Sequence, residues 1–178
     1  MEKGVYTHYG NLVGSINYAA TSTRPDISHA ASMLSRKLGR PEREDWLAAK
    51  RVLRYLRGTA NWGLIYGGSS SDNECQLGPA YCDADWAGCR ETRKSTTGFI
   101  IKVNGAAVVW GSKKQTALAM SSTESEYYAM GTSVQEILYL RMLLVEIDMP
   151  SPHPTLLRCD NQPALATASR TFCNGRMK

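Results

Sequence analysis

Long apolar runs are missing from this chain: nothing approaches the ~20 consecutive apolar residues of a membrane-spanning helix, and no signal-peptide pattern opens it. Histidine is scarce. His8, His29 and His153 each stand alone, without a second ligand at a useful spacing. The five cysteines, Cys75, Cys82, Cys89, Cys159 and Cys173, are odd in number and scattered, with no Cys-x-x-Cys pair. These absences argue against a zinc site, a disulfide framework and a membrane partner, and for a reducing, intracellular, cytoplasmic setting. No internal repeat is present, which removes the solenoid architectures. Excess charge is modest: 21 Lys and Arg against 16 Asp and Glu give +5, a lean towards an anionic partner that does not by itself require one.

What is present is ordinary globular material. At 178 residues, 43% hydrophobic and 21% charged, the chain suits one medium domain or two small ones with a real core. Composition changes at Gly67-Gly-Ser-Ser-Ser-Asp-Asn-Glu74, so three segments are expected: a mostly helical 1–66, a polar linker 67–75, and 76–178. In the first, Leu12, Val13 and Ile16 share a helical face, and a turn at Arg24-Pro25-Asp26 precedes a helix carrying Ile27, Ala30, Ala31 and Leu34. Pro41 is placed at the first position of a third helix whose apolar face is Trp46, Ala49, Leu53 and Leu56, opposite Lys50, Arg51, Arg54 and Arg57. Trp62 to Tyr66 reads as a short strand.

Beyond the linker, Leu77 to Ala84 reads as a strand, and Gly98–Val103 with Ala106–Gly111 as a hairpin about Asn104-Gly105. A long helix follows, with Met130, Val134, Ile137, Leu140, Leu144 and Ile147 on its apolar face, broken at Pro150–Pro154. Thr155 to Cys159 is a fourth strand, and Pro163 marks a further helix.

Three acids sit at element ends in the order Asp, Glu, Asp: Asp83, Glu126 and Asp160. Converging carboxylates repel one another unless hard cations lie between them, which is the chemistry of metal-assisted phosphodiester cleavage. Each has a plainer reading. Asp83 could be a strand-end acid in a turn, Glu126 could close a capping box with Thr123, and Asp160 could cap the helix before Pro163. If Ser121 caps the long helix and Glu124 closes its box, Glu126 stays free. Asp85 is expected to start a solvated turn rather than extend the strand. If Asp83 and Asp160 reach one side of the sheet edge, alternation puts Cys82 and Cys159 on the other, as neighbours in the core and inert packing.

Several collinear stretches resemble the Ty1/copia-type retrotransposon polyproteins. They are Tyr81-Cys-Asp-Ala-Asp-Trp-Ala-Gly88, Arg93-Lys-Ser-Thr-Thr-Gly98, Val109-Trp-Gly-Ser-Lys-Lys-Gln115, Ser121-Ser-Thr-Glu-Ser-Glu-Tyr127 and Cys159-Asp-Asn-Gln162. Upstream, Leu12-Val-Gly-Ser15, Thr23-Arg-Pro-Asp-Ile27 and Leu53-Arg-Tyr-Leu-Arg-Gly-Thr59 also match. The first half resembles the end of the reverse transcriptase and the second the ribonuclease H domain. The resemblance implies an α/β fold with a ribonuclease H-like mixed sheet, β-β-β-α-β-α, after a small helical segment. It implies cleavage of the RNA strand of RNA–DNA hybrids with two Mg²⁺ ions, for which Mn²⁺ can substitute, on Asp83, Glu126 and Asp160. Arg93, Lys94, Lys113 and Lys114 are then candidates for backbone phosphates, and Ser122 and Thr123 for the ribose 2′-OH. The implied partners are the hybrid and the rest of the polyprotein, reverse transcriptase and integrase, in the virus-like particle of the family.

The sequence departs from the family pattern. A fourth acid is expected after Gly175-Arg-Met-Lys178, where the sequence stops, and so are a final strand and helix; Cys89 stands where an acid is usual; and no Asp-Asp pair marks a polymerase site. The alternative expectation is therefore a truncated, catalytically inactive remnant, or a nucleic-acid-binding connection module.

Overall fold

The structure, a computed structural model, describes residues 3–66 and 75–169. It divides into two compact units, Met1–Leu64 and Ile65–Lys178. The polar segment 67–74 lies outside the described residues.

In the first unit, helices α1 (Lys3–Ser22), α2 (Ser28–Ser35) and α3 (Arg43–Gly58) each bury one stripe. Tyr9, Val13, Ile16 and Ala20 of α1 recur at helical spacing and pack with Ile27, Ala31, Leu34 and Ala49. Tyr9 is fully buried, and its hydroxyl donates to the Leu34 carbonyl at 3.0 Å, the partner a buried phenol requires. Three expectations change here. Pro41 lies outside α3, because Glu42 is the cap and exchanges hydrogen bonds with Asp45 in a capping box. Val52 packs on the core while Leu53 is exposed. Trp62 to Tyr66 forms no strand.

A polar lock closes this unit. Pro25 opens a 3₁₀ turn, Pro25–Ile27, and the buried Arg24 before it forks onto Asp26 at 3.0 and 2.7 Å. The same guanidinium donates to the Thr59 carbonyl at 3.2 Å and hydroxyl at 2.6 Å, and the Tyr55 hydroxyl donates to Asp26 at 2.9 Å. The fork from Arg24 holds the Asp26 carboxyl below its ordinary value.

In the second unit, β1 (Leu77–Asp85), β2 (Thr96–Val103) and β3 (Ala106–Lys114) form an antiparallel meander. Helix α4 (Ser122–Glu146) then returns the chain to β4 (Leu157–Arg158), which pairs parallel to β1, and α5 (Gln162–Ala168) follows. The sheet order is β3-β2-β1-β4. This is the ribonuclease H-like mixed sheet, with β1 at its centre. The β2–β3 turn has φ of 49° at Asn104 and 80° at Gly105, the doubly left-handed geometry that Asn-Gly accommodates best.

One face of the sheet is covered by α4. Its inner stripe is Ser125, Ala129, Ser133, Ile137, Leu140 and Leu144. Met130 is only partly buried and Val134 and Ile147 are exposed, contrary to the apolar pattern. The stripe divides by size. Small residues let the first half of α4 approach the sheet closely, while Ile137, Leu140 and Leu144 fill the core with Cys75, Leu77, Ala80 and Ile101. The fourth strand shrinks to two residues.

Arg24→Ala should destabilise the helical unit by about 2–4 kcal/mol at pH 7, below the full cost of breaking a buried pair because Asp26 remains 31% exposed. Urea unfolding followed by circular dichroism measures this. Asp26 is depressed, so the stability it gives is lost as pH falls through its folded value, and the difference should shrink below pH 3.8.

Candidate metal centre

Asp83 lies near the C-terminal end of the central strand, opposite Gly98 of β2, with its side chain exposed. The strand continues through Asp85, against expectation, yet Asp85 turns away. Its carboxylate fills the space beside Gly88, where an added Cβ would sit 1.6 Å from Asp85 Oδ2. Trp86 donates its indole N–H to the Ala119 carbonyl at 3.1 Å, which ties this loop to the segment before α4.

The start of α4 is fixed independently. Ser121 is the cap and accepts from the Glu124 N–H, while the Glu124 carboxylate accepts from the Met120 N–H at 2.7 Å. Glu126 is thereby left free, as the Ser121 reading expects. Gln115 holds the next turn: its side-chain amide donates to Thr97 Oγ1 at 3.0 Å and to the Ser125 carbonyl at 2.9 Å. Its backbone N–H donates to the Ser95 carbonyl at 2.9 Å. Sequence reasoning gives Gln115 no role; its signal was only its place at the end of a matching stretch.

Glu126 is 6% exposed and sits among acids. Burial pushes its carboxyl above the ordinary range, and the charges of Asp83 and Asp160 push it the same way. The Ala84 backbone N–H and the Cys159 thiol are hydrogen-bonded to it and oppose that rise. Among the described residues no basic side chain forms an ion pair with it.

Asp160 is exposed and is not a cap. Asn161 takes that place, accepting from the Ala164 N–H at 2.9 Å. Cys159 neighbours Cys82, as alternation expects. Its thiol also lies 3.7 Å from Glu126 Oε2, so the pair packs beside the helix glutamate rather than in a purely apolar core. Burial pushes the Cys82 thiol up to about 12, in keeping with an inert packing role.

Of the remaining candidates, Arg93 is exposed and Lys94, just before β2, donates to the Thr116 carbonyl just after β3. Lys113 and Lys114 line a cleft of about 160 Å³ with Thr97, Gln115 and Tyr128. Ser122 and Thr123 form the first turn of α4, one turn before Glu126. Cys89 is buried, in a turn where its carbonyl accepts from the Arg93 N–H.

The order β3-β2-β1-β4, with helices before and after the last strand, is that of a ribonuclease H-like mixed sheet. Comparison with known proteins gives the family. The Retrovirus-related Pol polyprotein from transposon TNT 1-94 of Nicotiana tabacum is 39% identical over 170 residues, which is 96% of this chain and 12% of that protein. The corresponding polyprotein from transposon RE2 of Arabidopsis thaliana is 38% identical over 172 residues, 97% of this chain and 12% of that one. A much shorter protein, the Secreted RxLR effector protein 161 of Plasmopara viticola, is 44% identical over 132 residues, 74% of this chain and 90% of its own length. No family model and no solved structure matches. The chain belongs to the Ty1/copia-type retrovirus-related Pol polyproteins, and it spans about 12% of the length of those it matches first. No helix among the described residues is long and apolar enough to cross a membrane.

In the absence of divalent ions, Glu126→Gln should raise the thermal midpoint at pH 7 by on the order of a few degrees. A carboxyl raised by folding contributes stability that is full below its unfolded value and lost as pH rises through the folded one. The gain in the variant should therefore vanish below pH 4.5. A midpoint at pH 7 below that of the wild type would contradict the electrostatics.

Proposed function

We propose that the second unit is a metal-dependent ribonuclease that cleaves the RNA strand of RNA–DNA hybrids during retrotransposon reverse transcription. One observation carries this reading: a buried glutamate from α4, without a cationic partner among the described residues, lies beside Asp160 of the β4–α5 connection and feels the charge of Asp83 on β1. Folding brings these three elements together at the expense of carboxylate repulsion, and hard divalent ions offset that repulsion. The donor set fits Mg²⁺, with Mn²⁺ as its substitute, held by Asp83, Glu126 and Asp160. When bound, a pair of such ions supplies an activated water and neutralises charge on the scissile phosphate.

The chain's own residues supply the rest. The Ala84 N–H fixes one end of the Glu126 carboxylate, and the Gln115 amide fixes the turn that carries it. Ser122 and Thr123, at the first turn of α4, offer hydroxyls to a ribose 2′-OH, the group that separates RNA from DNA. On this reading Arg93, Lys113 and Lys114 take backbone phosphates. Lys94 is engaged with the Thr116 carbonyl after β3. The partners on this reading are the hybrid and the remainder of the polyprotein, its reverse transcriptase and integrase.

The test is cleavage of a labelled RNA–DNA hybrid in Mg²⁺ and in Mn²⁺, with binding measured in parallel. Asp83→Asn should lower cleavage roughly 100-fold or more, the scale on which one group that stabilises a transition state acts, while leaving hybrid binding in place. Equal cleavage by the variant would remove Asp83 from the site. Binding without any cleavage by the wild type would make the unit a nucleic-acid-binding connection module instead.

A further inference from the structure

Sequence spacing argues against zinc, since no cysteines or histidines fall at finger-like intervals. The fold assembles a different donor set. One carboxylate oxygen each of Glu126 and Asp160 and the Cys159 sulfur lie within 4.8 Å of one another. A tetrahedral ion with bonds of ~2.0–2.3 Å holds its ligands roughly 3.3–3.8 Å apart. The edge from Cys159 Sγ to Glu126 Oε2, at 3.7 Å, already has that length. Asp160, exposed and just past the end of β4, has to close by at most roughly 1 Å to complete the triangle.

A second observation points the same way. Glu126 is 6% exposed, and no basic side chain among the described residues neutralises it. A carboxylate buried in this way lacks a counter-cation, and the Cys159 sulfur lies 3.7 Å from it. Sulfur is a poor ligand for Mg²⁺, which takes oxygen in near-octahedral geometry, and a good one for Zn²⁺, which is softer and binds mixed donor sets more tightly.

We propose that Glu126, Cys159 and Asp160 form a three-ligand site for Zn²⁺, with the fourth position left to water. Coordination replaces the Cys159 S–H bond by a Zn–S bond and releases that proton to solvent. Zn²⁺ held here withdraws Glu126 and Asp160 from any hard ion pair and so inhibits cleavage. That consequence rests on the nuclease reading of the site; the binding itself does not.

The test uses the whole reduced chain, with Co²⁺ as a coloured stand-in for Zn²⁺. One equivalent of Co²⁺ should give a thiolate-to-cobalt charge-transfer band in the near ultraviolet, and Zn²⁺ should bleach it. Cys159→Ser should abolish the band and weaken Zn²⁺ binding at least tenfold by calorimetry, with binding of Mg²⁺ unchanged, whereas Cys89→Ser should keep the band. No band in the wild type, or wild-type Zn²⁺ affinity in Cys159→Ser, overturns the site. Should Cys159→Ser fail to fold, alkylation of the wild type decides: Zn²⁺ must protect Cys159 from iodoacetamide, read by peptide mass spectrometry, and no protection overturns the site. Hybrid cleavage in Mg²⁺, measured on the same preparation, separates the two ideas. A band without cleavage leaves the zinc site standing and the nuclease reading fallen, and cleavage without a band does the reverse.

Discussion

The second unit is organised around a single buried carboxylate. Glu126 sits where the first turns of α4 meet the end of β1, and its acceptor oxygens are engaged by a backbone N–H of that strand and a thiol beyond β4. To place it there, the helix must come close, which is why its inner stripe begins with Ser125, Ala129 and Ser133. The helix must also be fixed in register. Gln115 does this by joining Thr97 on β2 to the Ser125 carbonyl. Trp86 adds a second tie, from the loop after β1 to Ala119. The close approach and both ties serve the position of one group that folding alone leaves electrostatically unsatisfied.

Much of this was legible in the sequence, and the failures share a cause. Asn104-Gly105 identified its hairpin because the required φ values belong to those two residue types. Ser121 and Glu124 released Glu126 from capping because a helix start needs particular acceptors at particular offsets. Where the prediction followed apolar residues alone, it erred in part. Ile137, Leu140 and Leu144 fell on the buried stripe, but Met130 and Val134 did not, because the first half of α4 packs through Ser125, Ala129 and Ser133. Leu53 was expected on the core face and is exposed. Cys82 and Cys159 met as alternation suggested, but the approach of Glu126 to the same place depends on helix packing, which no strand period reports.

The matching stretches also divide by role, which their residues alone did not reveal. Thr23-Arg-Pro-Asp-Ile27 and Leu53–Thr59 meet in the Arg24, Asp26, Tyr55 and Thr59 lock, a stabilising device. Within Tyr81–Gly88, Asp83 belongs to the acid cluster while Asp85 packs against a glycine that has no room for a side chain. Arg93–Gly98 supplies Ser95, which accepts the Ala87 N–H at 3.1 Å, and Thr97, which accepts from Gln115. Identity along such a stretch therefore reports both architecture and site, and only the spatial partners separate the two.

Asp26 and Glu126 make that separation concrete. Both are half-buried or buried acids in stretches that match the family, and folding moves their carboxyls in opposite directions. Asp26 is lowered because the fold supplies its counter-charge, Arg24, in a fixed fork. Nothing outside the unit is needed to complete it. Glu126 is raised because the fold surrounds it with apolar packing and two further acids and gives it only dipolar partners. A natural fold retains such an arrangement against its own stability where an external charge completes it, which is why strongly shifted acids concentrate at working sites. By that criterion the helical unit's ion pair is architecture, and the unsatisfied Glu126 at the end of β1 is the feature on which the proposed cation site rests.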